Sequence, residues 1–182
     1  MSGKVLVNAF SFPPGGDVSV FKVAKFVEYL PEFDWEVIVL TVDEECQWGP
    51  NNNQFSNVID KASAIHRLDV MGKSIPGFMD EIGWMPNLLK KSVEIIRKDD
   101  IDVMYQTASP HIPLLIIPII KQINDIPTLV DFRDPWKLSS KYEMFAEKNQ
   151  RFNELNPRYK LYGRFWKIVA QYGEPWVLKN ID

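Results

Sequence analysis

The stretch Lys4–Asp17, KVLVNAFSFPPGGD, decides the fold, because an apolar run rich in Val leads directly into a turn with two adjacent glycines. Such a run is typical of a strand that is covered on both faces in a parallel sheet. After the turn, apolar residues recur at helical spacing, at Val20, Val23, Ala24, Val27 and Leu30. The stretch therefore predicts a strand, a glycine turn and a helix, the first unit of an α/β domain.

The rest of the chain continues this alternation. Further strands are predicted over Glu36–Val42, Ala64–Leu68, Asp102–Thr107 and Thr128–Phe132. A surface excursion is predicted over Asp43–Asn57, and helical structure is predicted from Tyr142 onward. Residues 1–182 are therefore expected to form one Rossmann-like, three-layer domain with a mostly parallel sheet.

Prolines predict where two of the helices begin or break. Pro86 is placed at the start of a helix that ends at Lys98, where proline is tolerated. Ser109 is expected to cap the next helix, with Pro110 in its first position. That helix runs through the buried stretch Ile112–Ile120 and is expected to kink or break at Pro118.

Composition and charge exclude several classes of function. The chain has 182 residues, 46% of them apolar, and a formal net charge of -3. Nucleic acid is not expected as a partner, because binding phosphates requires a concentrated positive surface. The beginning of the chain has no long apolar stretch of the signal-peptide kind, and the single cysteine, Cys46, cannot form an internal disulfide. A cytoplasmic location is therefore expected.

Three strand ends are candidate ligand sites, because ligands of open parallel sheets bind where the carboxyl ends of the strands meet. The first is the loop with Pro14, Gly15, Gly16 and Asp17, whose glycines allow a ligand close to the backbone beside a helix amino terminus. A phosphate would suit this place, although a tight turn explains the same residues equally well. The loop is not the dinucleotide fingerprint, since its glycines are adjacent.

The second candidate is Thr107–His111 (TASPH), where Ser109 and His111 could meet a sugar or a phosphate. A histidine that only caps the helix or faces solvent is the alternative.

The third candidate is Asp131–Trp136 (DFRDPW), which places two carboxylates and a guanidinium at a strand end. Asp131 and Arg133 are expected on one face of the extended chain. A carboxylate there could orient or deprotonate a hydroxyl, and Arg133 could bind a carboxylate or phosphate. The alternative is an ion pair that only stabilises the loop.

Along nearly its whole length the sequence resembles the amino-terminal domain of the family 4 glycosyltransferases, the large retaining group with the GT-B fold. The likeness lies in KVLVNAFSFPPGG, VFKVAKFVEYLPEFDWEVIVLTV, IDVMYQTASPHIPLLIIPIIKQINDIPTLVDFRDPW and EPWVLKNID, and the passage that ends in DFRDPW is the most specific. These enzymes have two Rossmann-like domains, of which the first mainly holds the acceptor and the second holds the nucleotide-sugar donor. The resemblance implies no metal and no cofactor.

The resemblance also implies roles for individual residues. Gly15 and Gly16 would approach the donor diphosphate, while 109–111 and 131–134 would line the acceptor side. Many relatives carry a histidine at the end of the strand that here ends in DFRD, and Arg133 would occupy its position. Since arginine stays protonated and cannot act as a base, Asp131 and Asp134 are the predicted catalytic residues. Trp136 is predicted to contact substrate.

The second domain of this family is not found in the sequence. Residues 174–182 are expected to begin the connection to it, and the chain is expected to be a truncated protein or a split gene product. The main hypothesis is an acceptor-binding half-enzyme of cell-surface polysaccharide or glycolipid synthesis, which is inactive without its donor domain. The alternative is a non-catalytic glycan-binding or assembly module. A nucleotide-dependent oxidoreductase is disfavoured by the missing glycine pattern.

The stretch Arg151–Trp176 mixes basic and aromatic residues, which suits a membrane surface on which a lipid-linked acceptor could lie. Contact with the inner face of the membrane is therefore one interpretation. A helix that packs on the domain with its cationic side in water is favoured over it, because the sequence shows no clean separation of apolar and cationic faces.

Overall fold

The computed structural model describes residues 3–47, 49–72, 78–108, 110–136 and 157–181. Within them, five strands form one parallel sheet with the order β3-β2-β1-β4-β5. The strands are β1 Gly3–Asn8, β2 Trp35–Val42, β3 Ala64–Leu68, β4 Val103–Thr107 and β5 Thr128–Asp131. The chain thus builds outward from β1 to one side and then crosses to the other side, which is the Rossmann-like α/β fold that the sequence predicts.

Helices cover both faces of this sheet. The α-helices are α1 Val18–Tyr29, α2 Ser56–Ile59, α3 Phe78–Lys98, α4 Ile117–Asn124 and α5 Pro157–Lys179. Short 3-10 helices lie at Leu30–Phe33, Glu44–Cys46, Asn53–Phe55 and Ile112–Ile116. Residues of α1 and α2 are buried on one face, and residues of α3, α4 and α5 are buried on the other. None of the helices in the described ranges is long and apolar enough to cross a membrane.

The central strand β1 contributes to two hydrophobic cores, because successive side chains of a strand point to opposite faces. Val5 and Val7 pack with residues of α1, in a cluster that we call the α1 core. Leu6 packs on the opposite face with Trp84 of α3, in a cluster that we call the α3 core. The near-continuous burial of β1 therefore reflects a layer of helices on each side of the sheet.

The five predicted strands are confirmed, but the predicted start of α3 is wrong. This helix begins at Phe78, so Pro86 lies inside it. Proline removes one intrahelical hydrogen bond, at a cost of about 3 kcal/mol. Trp84 and Leu88 flank it and are completely buried in the α3 core, and burial of two such side chains offsets that cost.

The interruption expected at Pro118 is confirmed. A 3-10 helix ends at Ile116 and α4 begins at Ile117, so Pro118 lies in the first turn of α4. Proline is tolerated there because the first N–H groups of a helix have no intrahelical partner. The predicted cap Ser109 and the stretch 142–156, which was predicted to be helical, lie outside the described residues.

No helix begins at Glu174, where the resemblance places the start of the connecting helix. Glu174 lies within α5, which begins at Pro157. Ala170, Gly173 and Val177 are buried and form one continuous face of α5 on both sides of it. A Cβ atom at Gly173 would lie 2.8 Å from Trp136, so a glycine is required for this close packing. The predicted domain boundary itself stays a prediction.

Candidate functional site

An open cleft of about 290 Å³ lies where the ends of β4 and β5 meet the beginning of α1. Its lining residues are Val18, Ser19, Phe21, Lys22, Thr107, Ala108, Asp131 and Arg133. The first turns of α1 and the DFRDPW segment thus border the same cleft, whereas no residue of the preceding glycine loop is among its lining residues. This is the edge of the sheet at which the sequence predicts a ligand.

Asp131 is held at the cleft by both its backbone and its side chain. It is the last residue of β5 and pairs with Thr107 of β4, and its carbonyl oxygen accepts a 3.0 Å hydrogen bond from the Ala108 N–H. The Tyr105 hydroxyl donates a 2.8 Å hydrogen bond to Asp131 Oδ2. Lys22 Nζ forms an ion pair with the same oxygen. The carboxylate is therefore oriented by two strands and a helix.

Tyr105 lies beneath this carboxylate on the same face of β4 as Thr107. Its ring packs against Phe26 of α1 with the ring centroids 4.7 Å apart. Burial, followed by the hydrogen bond to Asp131, raises the pKa of the Tyr105 phenol well above its ordinary value of 10.0. The hydroxyl therefore stays protonated and serves as a permanent donor to Asp131.

Two cationic side chains border the cleft. The Lys22 side chain is 54% exposed although it is paired with Asp131. Arg133 is exposed and lies two residues beyond Asp131. Because ionised donors make stronger hydrogen bonds to anionic acceptors than neutral donors do, these two side chains could bind an anionic group at an otherwise largely apolar cleft.

His111, Asp134 and Trp136 come together outside the set of residues that line the cleft. His111 Nε2 lies 3.1 Å from the Asp134 carbonyl oxygen. The imidazole stacks on the Trp136 indole with the ring centroids 5.7 Å apart. Trp136 is completely buried in the α3 core, and its predicted contact with substrate stays a prediction. The predicted roles of His111 and Asp134 stay predictions.

The glycine loop packs against its own chain. A Cβ atom at Gly15 would overlap Gln47 Oε1, and one at Gly16 would overlap the carbonyl oxygen of Pro50. Asn52 N–H donates a 2.7 Å hydrogen bond to the carbonyl oxygen of Pro14, and Gly15 forms a bridge with Asn51. The close approach that the glycines permit is therefore used by Gln47 and 50–52. The predicted approach of Gly15 and Gly16 to a diphosphate stays a prediction.

Asp17 has a structural role at the same place. Its carboxylate accepts a 2.7 Å hydrogen bond from the Ser19 N–H and so caps α1. A phosphate at this helix terminus would have to share it with a carboxylate. The open part of the site lies one turn further along α1, at Lys22.

Lys22 and Tyr105 are not among the site residues that the sequence predicts. Tyr105 lies two residues before Thr107, and this spacing places both on one face of a strand. Its contact with Asp131 depends on β4 and β5 being neighbours, which the sequence pattern does not specify. Lys22 occurs among apolar helical positions and reads as an ordinary solvated residue. The predicted site residue Ser109 lies outside the described residues.

No protein-family model matches the chain, and no curated protein is significantly similar to it. Several solved structures share its fold. The C-terminal domain of PF1911 hydrogenase from Pyrococcus furiosus matches with a TM-score of 0.54 and 15% sequence identity, covering 71% of this chain and 91% of that one.

Two plant proteins share the fold as well. Phytolacca americana UGT2, solved with UDP-2fluoro-glucose and pterostilbene, matches with a TM-score of 0.50 and 9% identity over 82% of this chain. Glycyrrhiza uralensis UGT73P12, solved with glycyrrhetinic acid 3-O-monoglucuronide, matches with a TM-score of 0.50 and 13% identity over 83% of this chain. The match spans only 35% and 32% of those two chains. The likenesses show the Rossmann-like α/β fold of this chain.

Proposed function

We propose that this chain is the acceptor-binding domain of a nucleotide-sugar-dependent glycosyltransferase of the family 4 type. The observation that carries the proposal is the Asp131 carboxylate, fixed at an open cleft by Tyr105 and Lys22. The proposed pathway is cell-surface polysaccharide or glycolipid synthesis, with a sugar or lipid-linked acceptor on the cytoplasmic side. These finer points rest on the resemblance in sequence.

The chemistry that we propose for Asp131 follows from its bonding. Both Tyr105 and Lys22 contact Oδ2, so Oδ1 is the oxygen that remains for an acceptor hydroxyl. The hydroxyl oxygen would form the new bond to the sugar carbon of the donor while the bond from that carbon to the diphosphate breaks. Asp131 would orient the hydroxyl and take its proton.

Asp131 is the better of the two predicted catalytic residues. It lines the cleft and its side chain is only 19% exposed, whereas Asp134 is exposed and is connected to His111 through its backbone. Arg133 stands at the rim, where it can bind an anionic group of the acceptor or the donor. We therefore assign the acceptor contact to Asp131.

A second candidate is a non-catalytic glycan-binding or assembly module. Both candidates use the same cleft. They differ in whether a nucleotide-sugar-binding domain completes it.

Ligand titration of the isotopically labelled chain, followed by NMR, tests the proposed site. The probe is p-nitrophenyl β-D-glucoside, a soluble glycoside with free hydroxyls. We expect it to shift the backbone amides of Lys22, Ala108 and Arg133. Asp131→Asn removes the negative charge of the side chain that accepts the ligand's hydrogen bond. It should weaken this binding about tenfold, since a hydrogen bond to a charged group contributes about 1.5–3 kcal/mol. The matched control, Asp134→Asn, should bind the probe like wild type.

Three results would contradict the proposal. One is a nicotinamide dinucleotide that binds tightly in the cleft, because this would indicate an oxidoreductase. Another is equal weakening in both variants, because this would remove the assignment to Asp131. The third is sugar transfer by the 182-residue chain on its own, because the proposal requires a donor domain.

A further inference from the structure

Helix α1 gives the cleft an apolar wall. Phe21 is the only aromatic residue among the cleft-lining residues that the structure describes, and it is 43% exposed. Val18 lies one turn earlier in α1, also lines the cleft and is 61% exposed. Residues that are three apart in a helix lie on the same side of it, so the two side chains form one apolar surface. We call these two residues the α1 wall.

The Phe21 ring is held in place by a second phenylalanine. Its centroid lies 4.9 Å from that of Phe55, and the two ring planes are at 79°, which is a favourable edge-to-face arrangement. Phe55 is itself buried in the α1 core. The Phe21 ring is therefore anchored to the core although almost half of the residue stays open to the cleft. Such a fixed side chain loses little conformational freedom when a ligand binds.

Charged groups border the α1 wall. Lys22 follows Phe21 in the helix and pairs with Asp131, and Arg133 lines the same cleft. A purely apolar ligand would remove these charged groups from water without bonding to them, which is costly. The centre of a protein–protein interface is likewise depleted of charged residues. The cleft therefore suits a small ligand with one apolar face and a polar edge.

A pyranose ring has this distribution of groups, because its faces consist of C–H groups and its hydroxyls lie around its edge. The cleft volume of about 290 Å³ is close to the lower limit of about 300 Å³ for small-molecule sites. One sugar ring therefore suits the cleft better than an extended glycan or a long alkyl chain.

We infer that Phe21 is the residue on which the acceptor's sugar ring stacks. The face of an aromatic ring is slightly negative and the hydrogens of C–H groups are slightly positive, so the two attract each other. A ring that lies on the α1 wall would direct a hydroxyl of its edge toward Asp131. This inference rests on the proposed function, and it adds the residue that selects a sugar ring over other hydroxyl compounds.

NMR titration with methyl β-D-glucopyranoside tests the inference, because this glucoside has no aromatic group of its own. We expect excess protein to shift the C–H signals of one face of the sugar upfield, since hydrogens above an aromatic ring are shielded. D-glucitol has similar hydroxyls but no ring face. It should bind at least about fivefold more weakly.

Two substitutions of Phe21 separate an aromatic contact from an apolar one. Phe21→Leu keeps an apolar side chain but removes the ring, so it should abolish the upfield shift and weaken binding of the glucoside about fivefold. Phe21→Tyr keeps the ring and should retain both. Phe33→Leu is the matched control, because Phe33 is also exposed but lies in the 3-10 helix after α1. Circular dichroism establishes that the variants are folded.

The inference is overturned if folded Phe21→Leu binds the glucoside as tightly as wild type, if the upfield shift persists in it, or if D-glucitol binds equally well. Failure of the proposed function looks different. If wild type bound no glycoside, the proposed function would fail, and the inference with it. If Phe21→Leu weakened binding but Asp131→Asn did not, only the role proposed for Asp131 would be contradicted.

Discussion

Asp131 illustrates how much of the site depends on single residues. The sequence predicts this carboxylate because it ends an apolar strand, and the structure places it at the cleft. Its two side-chain partners come from other elements, Tyr105 from β4 and Lys22 from α1. These partners could not be predicted from the sequence. The assembled fold alone determines that β4 lies beside β5 and that the turn of α1 with Lys22 faces them. The burial of Trp136 escaped prediction for the same reason, since α5 covers it from a distant part of the sequence.

Substitution of Tyr105 tests the proposed support of Asp131. At about pH 8, Tyr105→Phe should lower the free energy of unfolding by about 1 kcal/mol through loss of one partly buried hydrogen bond. The pKa of Tyr105 is raised in the folded state, so its proton stabilises the fold below the unfolded pKa near 10. This contribution is lost as the pH rises above that value, because only the unfolded chain then releases the proton readily.

The difference between wild type and Tyr105→Phe should therefore shrink between about pH 8 and about pH 11. Urea denaturation at both pH values measures it. Tyr29→Phe serves as the control, because Tyr29 is 47% exposed, and it should alter stability little at either pH. A gap between wild type and Tyr105→Phe that stays constant with pH would contradict a buried, protonated phenol.

At the scale of elements, the adjacent glycines of the loop have two possible explanations: close packing against Gln47 and Pro50, or space for a ligand. Gly16→Ala should destabilise the chain by about 2 kcal/mol, because the new Cβ atom meets the Pro50 carbonyl oxygen and the backbone must move. Gly15→Ala should cost about 1 kcal/mol, because Gln47 can rotate away at the loss of its hydrogen bond to Phe12.

Urea denaturation of the two glycine variants provides the comparison, and each serves as the control for the other. The expected order is a larger loss for Gly16→Ala than for Gly15→Ala. If both variants were as stable as wild type, the packing of Gln47 and 50–52 on the loop would not explain the glycines, and a ligand would be the better explanation.

Strands were more predictable than helix boundaries. The strand β2, WEVIVLTV, could be predicted because a parallel strand covered on both faces needs a continuous apolar run. The start of α3 could not, because Pro86 is a strong local signal that the burial of Trp84 and Leu88 overrides. Asp43–Asn57 was correctly predicted to be irregular, apart from short helical turns. The packing of this segment on the glycine loop could not be predicted, because it corresponds to no pattern in the sequence.

At the scale of the whole molecule, the sheet joins the two hydrophobic cores, and the cleft lies on the α1 side of it. The rule that ligands bind at the carboxyl ends of parallel strands predicts a site at this edge of the sheet, where the structure has the cleft.

Because β1 contributes to both cores, the two layers of helices should not unfold separately. Leu6→Ala in the α3 core should cost about 3 kcal/mol, and Val7→Ala in the α1 core should cost about 2 kcal/mol, since both side chains are completely buried. Circular dichroism follows both layers. In a Trp35→Phe background, which removes the tryptophan that packs on the α1 core, fluorescence of the buried Trp84 and Trp136 follows the α3 core. In each variant the two signals should give one coincident transition.

The control is Leu178→Ala, at a position that is 50% exposed, and it should leave the midpoint almost unchanged. A Val7→Ala transition that moved in circular dichroism but not in tryptophan fluorescence would show that the layers on the two faces of β1 unfold independently.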